Sequence, residues 1–359
     1  MDFSLDQTQE TVAEIVVGLL AREPSDPADT SGFNSALWEA MAKADLLSLA
    51  VPERLGGAGL GLPEVLPLLT EIGRGAAPVP ALATLGFGLL PILALGSDEQ
   101  QDALLAEVAT GRILTAGLSE PGSAFPAAPS TTAVADGGDV LVNGLKVAVP
   151  FADVAYRILV PTDAGVVLVA PDAPGVTLAK ISSSSGSPEF SVRLDGVRVP
   201  AAEVLAGPDG TGDNATLYRI AQAAIGAYSD GLLAGATTLT AEHLRTREQF
   251  GKPLATFQAV AQQIADVYVT SRTLHVSALA SGWRVSEGLD AEDDLEVLSY
   301  WIAAEVPAAM RTLHHLHGGL GVDVTYPMHR YFSIAKDLAR LVGGASSRLD
   351  LVGARCSSI

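Results

Sequence analysis

The chain has 359 residues, of which 48% are hydrophobic, so it can bury a large core in about two or three packed subdomains. Its 41 acidic and 22 basic residues give a net charge of −19, and no cluster of Lys and Arg interrupts that balance. We therefore expect no sequence-independent binding to the phosphates of a nucleic acid.

The cysteine count and the first segment both predict a cytoplasmic protein. A chain with one cysteine, Cys356, cannot form an intramolecular disulfide and offers no CxxC pair to a metal. The segment MDFSLDQTQETVAEIVVGLLAR lacks the basic start and the small-residue cleavage site of an export signal. It is interpreted as the first helix of the fold.

The uncharged stretch at 76–96 is long enough to raise the question of a membrane span. Pro78, Pro80 and Pro91, with two glycines between them, divide it into short pieces. Because Pro and Gly interrupt helix interiors, the pattern favours helices buried in a core, and we expect no contact with a membrane.

The pattern of apolar and β-branched residues changes twice along the chain. Helical patterns extend to about Gly111, short β-branched runs follow from Ile113 to about Leu205, and long helical patterns return after Asp213 or Asn214, either of which can cap a helix. This order predicts an α+β fold with three domains. They are an N-terminal helical domain at 1–111, a middle β-barrel-like domain at 112–207 and a C-terminal domain of four-helix-bundle type at 208–359.

Local patterns predict where several helices begin and end. Ser97 and Gln100 have the spacing of a capping box. Gly251 and Pro253 are interpreted as the end of one long helix and the first turn of the next. That next helix repeats apolar residues between Val260 and Leu274, which predicts a packed face.

Two segments near the C-terminal end carry a specific resemblance. They are REQFGKPLATFQ at 247–258 and HGGLG at 317–321, supported by ERLGGAGLGLPEV and LSEPGSA earlier in the chain. Over nearly its whole length the sequence resembles the acyl-CoA dehydrogenase family. More narrowly, it is similar to the smaller, divergent subunit of actinobacterial heteromeric dehydrogenases that act on steroid side-chain CoA thioesters.

The resemblance implies contacts with the adenine and pyrophosphate end of an FAD held mainly by a neighbouring subunit. Arg247 suits this role because a guanidinium binds phosphate oxygens bidentately and stays charged. Glycine at the HGGLG turn lets the backbone approach the cofactor. At a position that is usually glutamine the chain has His315, which can still make one hydrogen bond. The expected FAD contacts are Arg247, Gln249, Phe250, Leu254, Phe257, Gln258, His315, Gly318 and Gly319.

The same resemblance implies a catalytic glutamate at one of two positions, and here these read Gly343 and Ala221. Neither residue can remove a proton, so we expect no catalytic residue in this chain. Glu120, beside the expected flavin loop, is interpreted as a structural acid instead of a replacement base. Asp323 and Tyr326 are interpreted as a helix-start cap and a packing residue.

The expected contacts to the flavin ring are also altered. The family's TEPGAGSD-type loop appears as SEPGSAFP, which places Ala124 and Phe125 where Gly-Ser would admit the ring. The aromatic-x-hydroxyl motif appears within KVAVP as Ala148 and Pro150, and proline has neither a backbone donor nor a hydroxyl.

Together these residues lead to a hypothesis of a required but noncatalytic subunit of an FAD-dependent acyl-CoA dehydrogenase. A homologous catalytic partner, in an α2β2 assembly, would supply the base, the flavin-ring pocket and the cleft for a steroid CoA thioester. Electrons would pass to an electron-transfer flavoprotein. Two alternatives stay open: a self-sufficient homotetrameric dehydrogenase with a displaced base, and a flavin-free structural or regulatory homologue.

The histidines at 314, 315, 317 and 329 raise the question of a metal site. Their spacing on a helix does not converge three ligands without acidic or cysteine help, so we expect no metal.

Overall fold

The computed structural model describes residues 4–29, 31–207 and 213–356. Helices form the first part of the chain, and two of them begin with the reciprocal bonds of a capping box, at Asp6 and at the predicted Ser97. The helices are α1 Gln7–Arg22, α2 Ser35–Lys43, α3 Leu62–Arg74, a π-helix Leu82–Leu89, α4 Leu90–Leu95 and α5 Asp98–Ala109.

The apolar stretch at 76–96 is buried, as predicted. Side chains from Ala83 to Leu89 are buried within the π-helix, and α4 continues directly from it. Within the described part of the chain, no helix is both long enough and apolar enough to cross a membrane.

Two β-sheets, antiparallel except for one pair of strands, form the middle of the chain. One sheet has the order β1-β6-β7-β10, in which β1 pairs parallel to β6, and the other has the order β3-β2-β5-β9-β8 with β4 paired to β5. Buried Val, Ile, Leu and Phe side chains of both sheets form one core. The strands are β1 Ile113–Ala116, β2 Ser119–Glu120, β3 Ser123–Ala124, β4 Thr132–Asp136, β5 Asp139–Pro150, β6 Ala155–Thr162, β7 Gly165–Val169, β8 Val176–Ile181, β9 Glu189–Pro200 and β10 Val204–Leu205.

Long helices return after the sheets. Asp213 caps the first of them, because its carboxylate accepts a hydrogen bond from the Ala215 backbone N–H at 2.8 Å. The helices are α6 Asn214–Thr246, α7 Gln258–Ser286, α8 Glu292–His317, α9 Met328–Leu341 and α10 Ala345–Cys356. The α+β order of helices, sheets and helices is confirmed.

One predicted helix start is wrong. Pro253 does not open α7; it belongs to a small hairpin of β11 Glu248–Gln249 and β12 Lys252–Pro253, and α7 begins at Gln258. The backbone of Pro253 is extended, at φ −57° and ψ 143°, and proline at this position sacrifices no helical hydrogen bond. The predicted packed face of α7 is confirmed farther along, where Val267 and Leu274 are buried.

The chain packs as two compact units, each assembled from separate stretches. One comprises Met1–Thr30, Leu66–Ala77 and Ile225–Ile359, and the other comprises Ser31–Val65 and Pro78–Ala224. The domain limits expected at 111 and 207 follow the changes of secondary structure, and as boundaries of independent domains they stay a prediction.

Within the first of these units, α3 and α6 cross with their backbones in contact. A Cβ on Gly231 would lie 1.8 Å from the carbonyl oxygen of Thr70, and a Cβ on Gly73 would lie 2.1 Å from the carbonyl oxygen of Tyr228. A Cβ on Gly235 would meet the carbonyl oxygen of Arg74 at 2.1 Å. Glycine is therefore required on both helices, and the crossing fixes the course of α6 toward its end at Thr246.

Replacing Gly231 with alanine is expected to destabilise the protein by at least about 1–3 kcal/mol, because the new methyl group forces the two helices apart. Chemical denaturation measures the change. Gly18→Ala in α1 is the matched control, since its Cβ would meet only the end of Arg22, at 3.8 Å. That variant should gain roughly 0.5–1 kcal/mol from helix propensity. Equal stability of Gly231→Ala and the parent would contradict the close crossing.

Candidate functional site

The C-terminal ends of α6 and α8 enclose a cavity of about 740 Å³. Its walls come from the last turn of α6, the hairpin that follows it and the glycine turn after α8. Lining residues are His243, Thr246, Arg247, Gln249, Leu254, His315, Leu316, His317, Gly318, Gly319 and Leu320. The fold thus brings together the two sequence segments on which the resemblance rests, and six of the nine expected contact residues lie in one cavity.

Arg247 lies at the base of the hairpin, where backbone hydrogen bonds hold it. Its N–H donates to the carbonyl oxygen of His243 at 2.8 Å, and its own carbonyl accepts from the Leu254 N–H at 2.9 Å. Among the described residues no carboxylate pairs with Arg247, whereas the nearby Arg245 pairs with Glu242. An unpaired guanidinium at a cavity wall can bind an anion.

The hairpin presents an exposed aromatic ring at its tip. Phe250 and Gly251 occupy the turn with φ values of +52° and +74°, and the Phe250 side chain is 92% exposed. A non-glycine residue in this conformation costs roughly 1–2 kcal/mol. Its ring forms a T-shaped pair with that of Phe257, with centroids 6.3 Å apart. Packing within the chain therefore gives little reason for Phe at this position.

Three expected contact residues lie beside the cavity and do not line it. Phe250 is at the hairpin tip, Phe257 is the residue just before α7, and Gln258 is the first residue of that helix. The Phe257 ring also carries the Lys252 ammonium group 4.4 Å from its centroid.

Each glycine after α8 has a different structural basis. Gly318 ends the helix with φ +59°, a conformation that other residues rarely adopt. A Cβ on Gly321 would press against the backbone oxygen of His314 at 2.9 Å. A Cβ on Gly319 would have no neighbour within 4 Å. Backbone conformation therefore favours glycine at 318 and packing requires it at 321, whereas the described residues leave open space beside Gly319.

A histidine that sequence reasoning missed also lines the cavity. His243 stacks on His317, with ring centroids 4.5 Å apart and planes inclined by 23°. His317 donates from Nδ1 to the Leu313 carbonyl at 2.9 Å, and its Nε2 lies 3.1 Å from the Tyr326 hydroxyl. The sequence pattern that could have identified His243 is its spacing of four residues before Arg247, which in a helical turn places two side chains on one face.

Burial lowers the pKa of both stacked histidines. For His243 the positive charge of Arg247 lowers the pKa further. For His317 the hydrogen bond to Leu313 opposes the effect of burial, while His243 and His314 add to it. Among residues 4–29, 31–207 and 213–356, no three His, Cys, Asp or Glu side chains are grouped so as to hold a metal ion.

Asp323 and Tyr326 have local roles near this site. The Asp323 carboxylate accepts hydrogen bonds from the Thr325 N–H at 2.9 Å and hydroxyl at 2.8 Å, which orders the turn before α9. Tyr326 packs on His317. Tyr326 agrees with the predicted packing role, but the helix-start cap predicted at Asp323 is wrong: α9 follows Pro327 without a side-chain cap, and Asp323 orders the turn before it.

In the other compact unit, the segment expected to face a flavin ring is filled by aromatic side chains. Phe125 has φ +50° and packs edge-on against Tyr218, with centroids 5.5 Å apart. The Tyr218 hydroxyl is buried, with no hydrogen-bond partner in the described part of the chain. Ala148, at φ +54°, and Pro150 lie at the irregular end of β5.

Neither expected base position carries a carboxylate. Ala221 is buried on α6, and Gly343 lies in the turn between α9 and α10 with φ +93°. Because other residues rarely adopt that conformation, a side chain at Gly343 would be strained.

Glu120 is buried and fully hydrogen-bonded. Its carboxylate accepts from Lys146 Nζ at 2.7 Å, from the Ser130 N–H and hydroxyl at 2.7 and 2.6 Å, and from the Thr131 N–H and hydroxyl at 3.0 and 2.6 Å. Burial alone would raise the pKa of Glu120, but the bonds from Lys146, Ser130 and Thr131 lower it to about 2. So weak a base supports a structural role.

The order of helices, sheets and helices, with a cavity at the ends of α6 and α8, is the acyl-CoA dehydrogenase fold. Family models match at both ends of the chain: the acyl-CoA dehydrogenase N-terminal domain at residues 4–112 and the C-terminal domain at residues 214–355. The chain belongs to the acyl-CoA dehydrogenase family, whose members are oxidoreductases that bind FAD.

Relatives place the chain more narrowly. It is 50% identical over 360 residues to acyl-CoA dehydrogenase FadE28 of Mycobacterium tuberculosis, with 99% of each protein covered. Among solved structures, the ChsE4-ChsE5 complex from Mycobacterium tuberculosis matches with a TM-score of 0.90 and 30% identity over 100% of both chains. A variant of the Tcur3481-Tcur3483 steroid ACAD matches with a TM-score of 0.86 and 36% identity, covering 98% of this chain and 97% of that one.

The buried Lys146–Glu120 pair predicts a large cost for removing one partner. Lys146→Met should destabilise the protein by about 3–5 kcal/mol at neutral pH, because it leaves a buried carboxylate without its cation. The double variant Lys146→Met, Glu120→Gln should lose less, since no charge is then unpaired. Denaturation of both variants gives the comparison, and a single variant as stable as the double variant would contradict the interpretation.

The same pair predicts how the stability of the parent protein depends on pH. Because the pKa of Glu120 is lowered from 4.5 to about 2, its contribution is present above pH 4.5 and is lost as the pH falls toward 2. In the double variant this part of the acid dependence should be absent.

Proposed function

We propose that this chain is a required but noncatalytic subunit of a heteromeric, FAD-dependent acyl-CoA dehydrogenase. The proposal rests on one observation: Arg247 lines a cavity and pairs with no carboxylate of the described residues, while both positions expected for a base lack a carboxylate. This chain would hold the adenine end of FAD. A homologous partner would supply the catalytic glutamate and the flavin-ring pocket.

The residues of the cavity fit the diphosphate end of a dinucleotide. α6 and α8 both end here, and the carbonyl end of a helix repels anions. Attraction for a diphosphate must therefore come from side chains, and Arg247 provides a fixed charge with a fork of donors. Gly319 leaves room beside it. His315, exposed on the cavity wall, can add one hydrogen bond to the adenosine part.

The residues at the expected flavin-ring position do not fit the ring. Phe125 and Tyr218 pack against each other there, and Pro150 offers no N–H or hydroxyl. The fit of one end of the cofactor and the misfit of the other support a site shared between two chains.

Exposed apolar residues on the segments that form the cavity support a partner. Phe250 follows the lining residue Gln249, and Leu320, Val322 and Val324, with exposed fractions of 39%, 68% and 62%, belong to or follow the glycine turn. Large exposed apolar patches are typical of protein–protein contacts. Two similar solved structures are named as pairs of proteins, and on this basis we propose an α2β2 assembly.

Bound FAD supplies the hydride acceptor for α,β-dehydrogenation of a CoA thioester. In this scheme Arg247 and the glycine turn orient the cofactor, and the partner's carboxylate removes the α-proton. Similarity to a protein named as a steroid ACAD supports a steroid side chain as the acyl group. In the same proposal the electrons pass to an electron-transfer flavoprotein, and the complex is cytoplasmic.

Coexpression tests the proposal directly. The chain, a homologous dehydrogenase with an intact base, and the two together are purified, and bound FAD and steroid-CoA dehydrogenation are measured for each. We expect flavin and activity only in the complex, with one FAD for each pair of unlike chains. Activity and flavin in this chain alone would instead show a self-sufficient enzyme. A flavin-loaded, active partner without this chain would show a structural or regulatory homologue.

Arg247→Ala in the complex is expected to weaken FAD retention by about 10- to 100-fold, the value of a charge-assisted hydrogen bond of roughly 1.5–3 kcal/mol. Release of FAD fluorescence on dilution measures the effect. Arg245→Ala is the matched control, because that exposed guanidinium pairs with Glu242 and does not line the cavity. Unchanged FAD content in Arg247→Ala would refute the contact.

Gly319→Ala serves as a second variant in the same assay. Since its Cβ would meet nothing in the chain, the free energy of unfolding should stay nearly constant while FAD retention falls. Gly321→Ala should instead lower the free energy of unfolding more than FAD retention, because its Cβ would collide with the His314 backbone.

A further inference from the structure

The stacked histidine pair provides an ionisable group beside the proposed anion site. Arg247 directly follows the last residue of α6, and its N–H donates to the carbonyl oxygen of His243 at 2.8 Å; both residues line the cavity. One face of the His243 ring is covered by His317, at a centroid distance of 4.5 Å. Any charge that forms on His243 therefore forms next to the guanidinium of Arg247.

The two histidines differ in their hydrogen bonds. His317 is buried, and both of its ring nitrogens have a partner: Nδ1 donates to the Leu313 carbonyl, and Nε2 faces the Tyr326 hydroxyl. His243 is half-buried, and within the described part of the chain its ring nitrogens have no hydrogen-bond partner. A proton can therefore be added to His243 without breaking a hydrogen bond.

The charged or ionisable groups that line the cavity with His243 are Arg247, just after α6, and His315 and His317 on α8; Tyr326 lies behind His317. Glu242, the sequence neighbour of His243, pairs with Arg245. No Asp or Glu is among the residues that line the cavity. Besides burial, the charge of Arg247 is what lowers the pKa of His243. The histidine is consequently neutral at pH 7 while the cavity holds no anion.

We propose that His243 is a second anion-binding group of this cavity, which takes up a proton from solvent when a diphosphate binds beside Arg247. The inference rests on the proposed dinucleotide site. Burial first and the charge of Arg247 second lower the pKa of His243. A diphosphate offsets the charge of Arg247 and adds negative charge beside the ring, so it favours the protonated form of His243. The carbonyl end of α6 also favours a cation at this position.

Proton uptake makes the affinity depend on pH in a defined direction. Because the ligand raises the proton affinity of His243, protonation must raise the affinity for the ligand by the same factor. Binding should tighten by up to about tenfold for each unit of pH decrease between the pKa values of His243 in the free and bound states. The free value lies below the ordinary 6.5, so the effect appears in mildly acidic solution.

Titration of ADP, which carries the adenine, ribose and diphosphate of the dinucleotide without its flavin, tests this in the full chain. Calorimetry in buffers of different protonation heat counts the protons taken up, and NMR of the histidine rings follows His243 with and without ADP. We expect a fractional proton uptake near pH 6, with an upward shift of the His243 titration on binding. Adenosine, which lacks the diphosphate, should produce neither effect.

Variants identify the group. His243→Asn should still bind ADP but lose the proton uptake and the pH dependence, whereas His315→Asn, on another wall of the cavity, should keep both. ADP binding without proton uptake would overturn the inference and leave the dinucleotide site intact. Absence of ADP binding at any pH would overturn both proposals. If His315→Asn loses the proton uptake and His243→Asn keeps it, the proton belongs to His315 and the inference is overturned. If His243→Asn does not fold, the NMR titration of the parent protein shows which histidine takes up the proton.

Discussion

Contact between the backbones of α3 and α6 is the constraint on which the position of the site depends. Gly73 on α3 and Gly231 and Gly235 on α6 let the two helices approach to a distance that no side chain permits. α6 is 33 residues long, and about 22 Å of helix separate Gly231 from its last residue. A rigid helix held at this crossing delivers Arg247 and His243 to a fixed place next to the end of α8.

The cavity at the ends of α6 and α8 carries charge of the opposite sign to the net charge of the chain. The chain carries a net charge of −19, yet the residues that line the cavity include Arg247 and three histidines and no carboxylate. Two helices direct their carbonyl ends toward the same region, so cationic side chains alone can make it attractive to an anion. A site of this kind binds a phosphate ligand through a few side chains, and its affinity follows their protonation.

The other unit combines a buried ion pair with aromatic packing at the position expected to face a flavin ring. The Lys146–Glu120 pair is buried, the Glu120 carboxylate is fully hydrogen-bonded, and the pair ties β2 to β5. Phe125 and Tyr218 pack against each other nearby. Under the proposed function, the ion pair stabilises the sheet of this chain, and a partner supplies the flavin-ring pocket.

The sequence by itself determined the features that depend on neighbouring residues. The capping box at Ser97, a cap at Asp213 or Asn214, the change from helices to strands and the REQFG and HGGLG segments are local, because hydrogen bonds and steric preferences over a few residues produce them. The expected cofactor contacts lie in motifs that stay contiguous in the chain, and six of them line one cavity; their contact with FAD stays a prediction.

Only the tertiary structure decided how distant segments meet. The stack of His243 on His317 joins α6 to α8, the different requirements of Gly319 and Gly321 depend on what lies beside each Cβ, and the hairpin that displaced the expected helix start at Pro253 is closed by pairing with Glu248. Packing between elements far apart in sequence sets the histidine stack. The other two contacts lie within a few residues, but they depend on the three-dimensional course of the backbone, which the sequence pattern did not reveal.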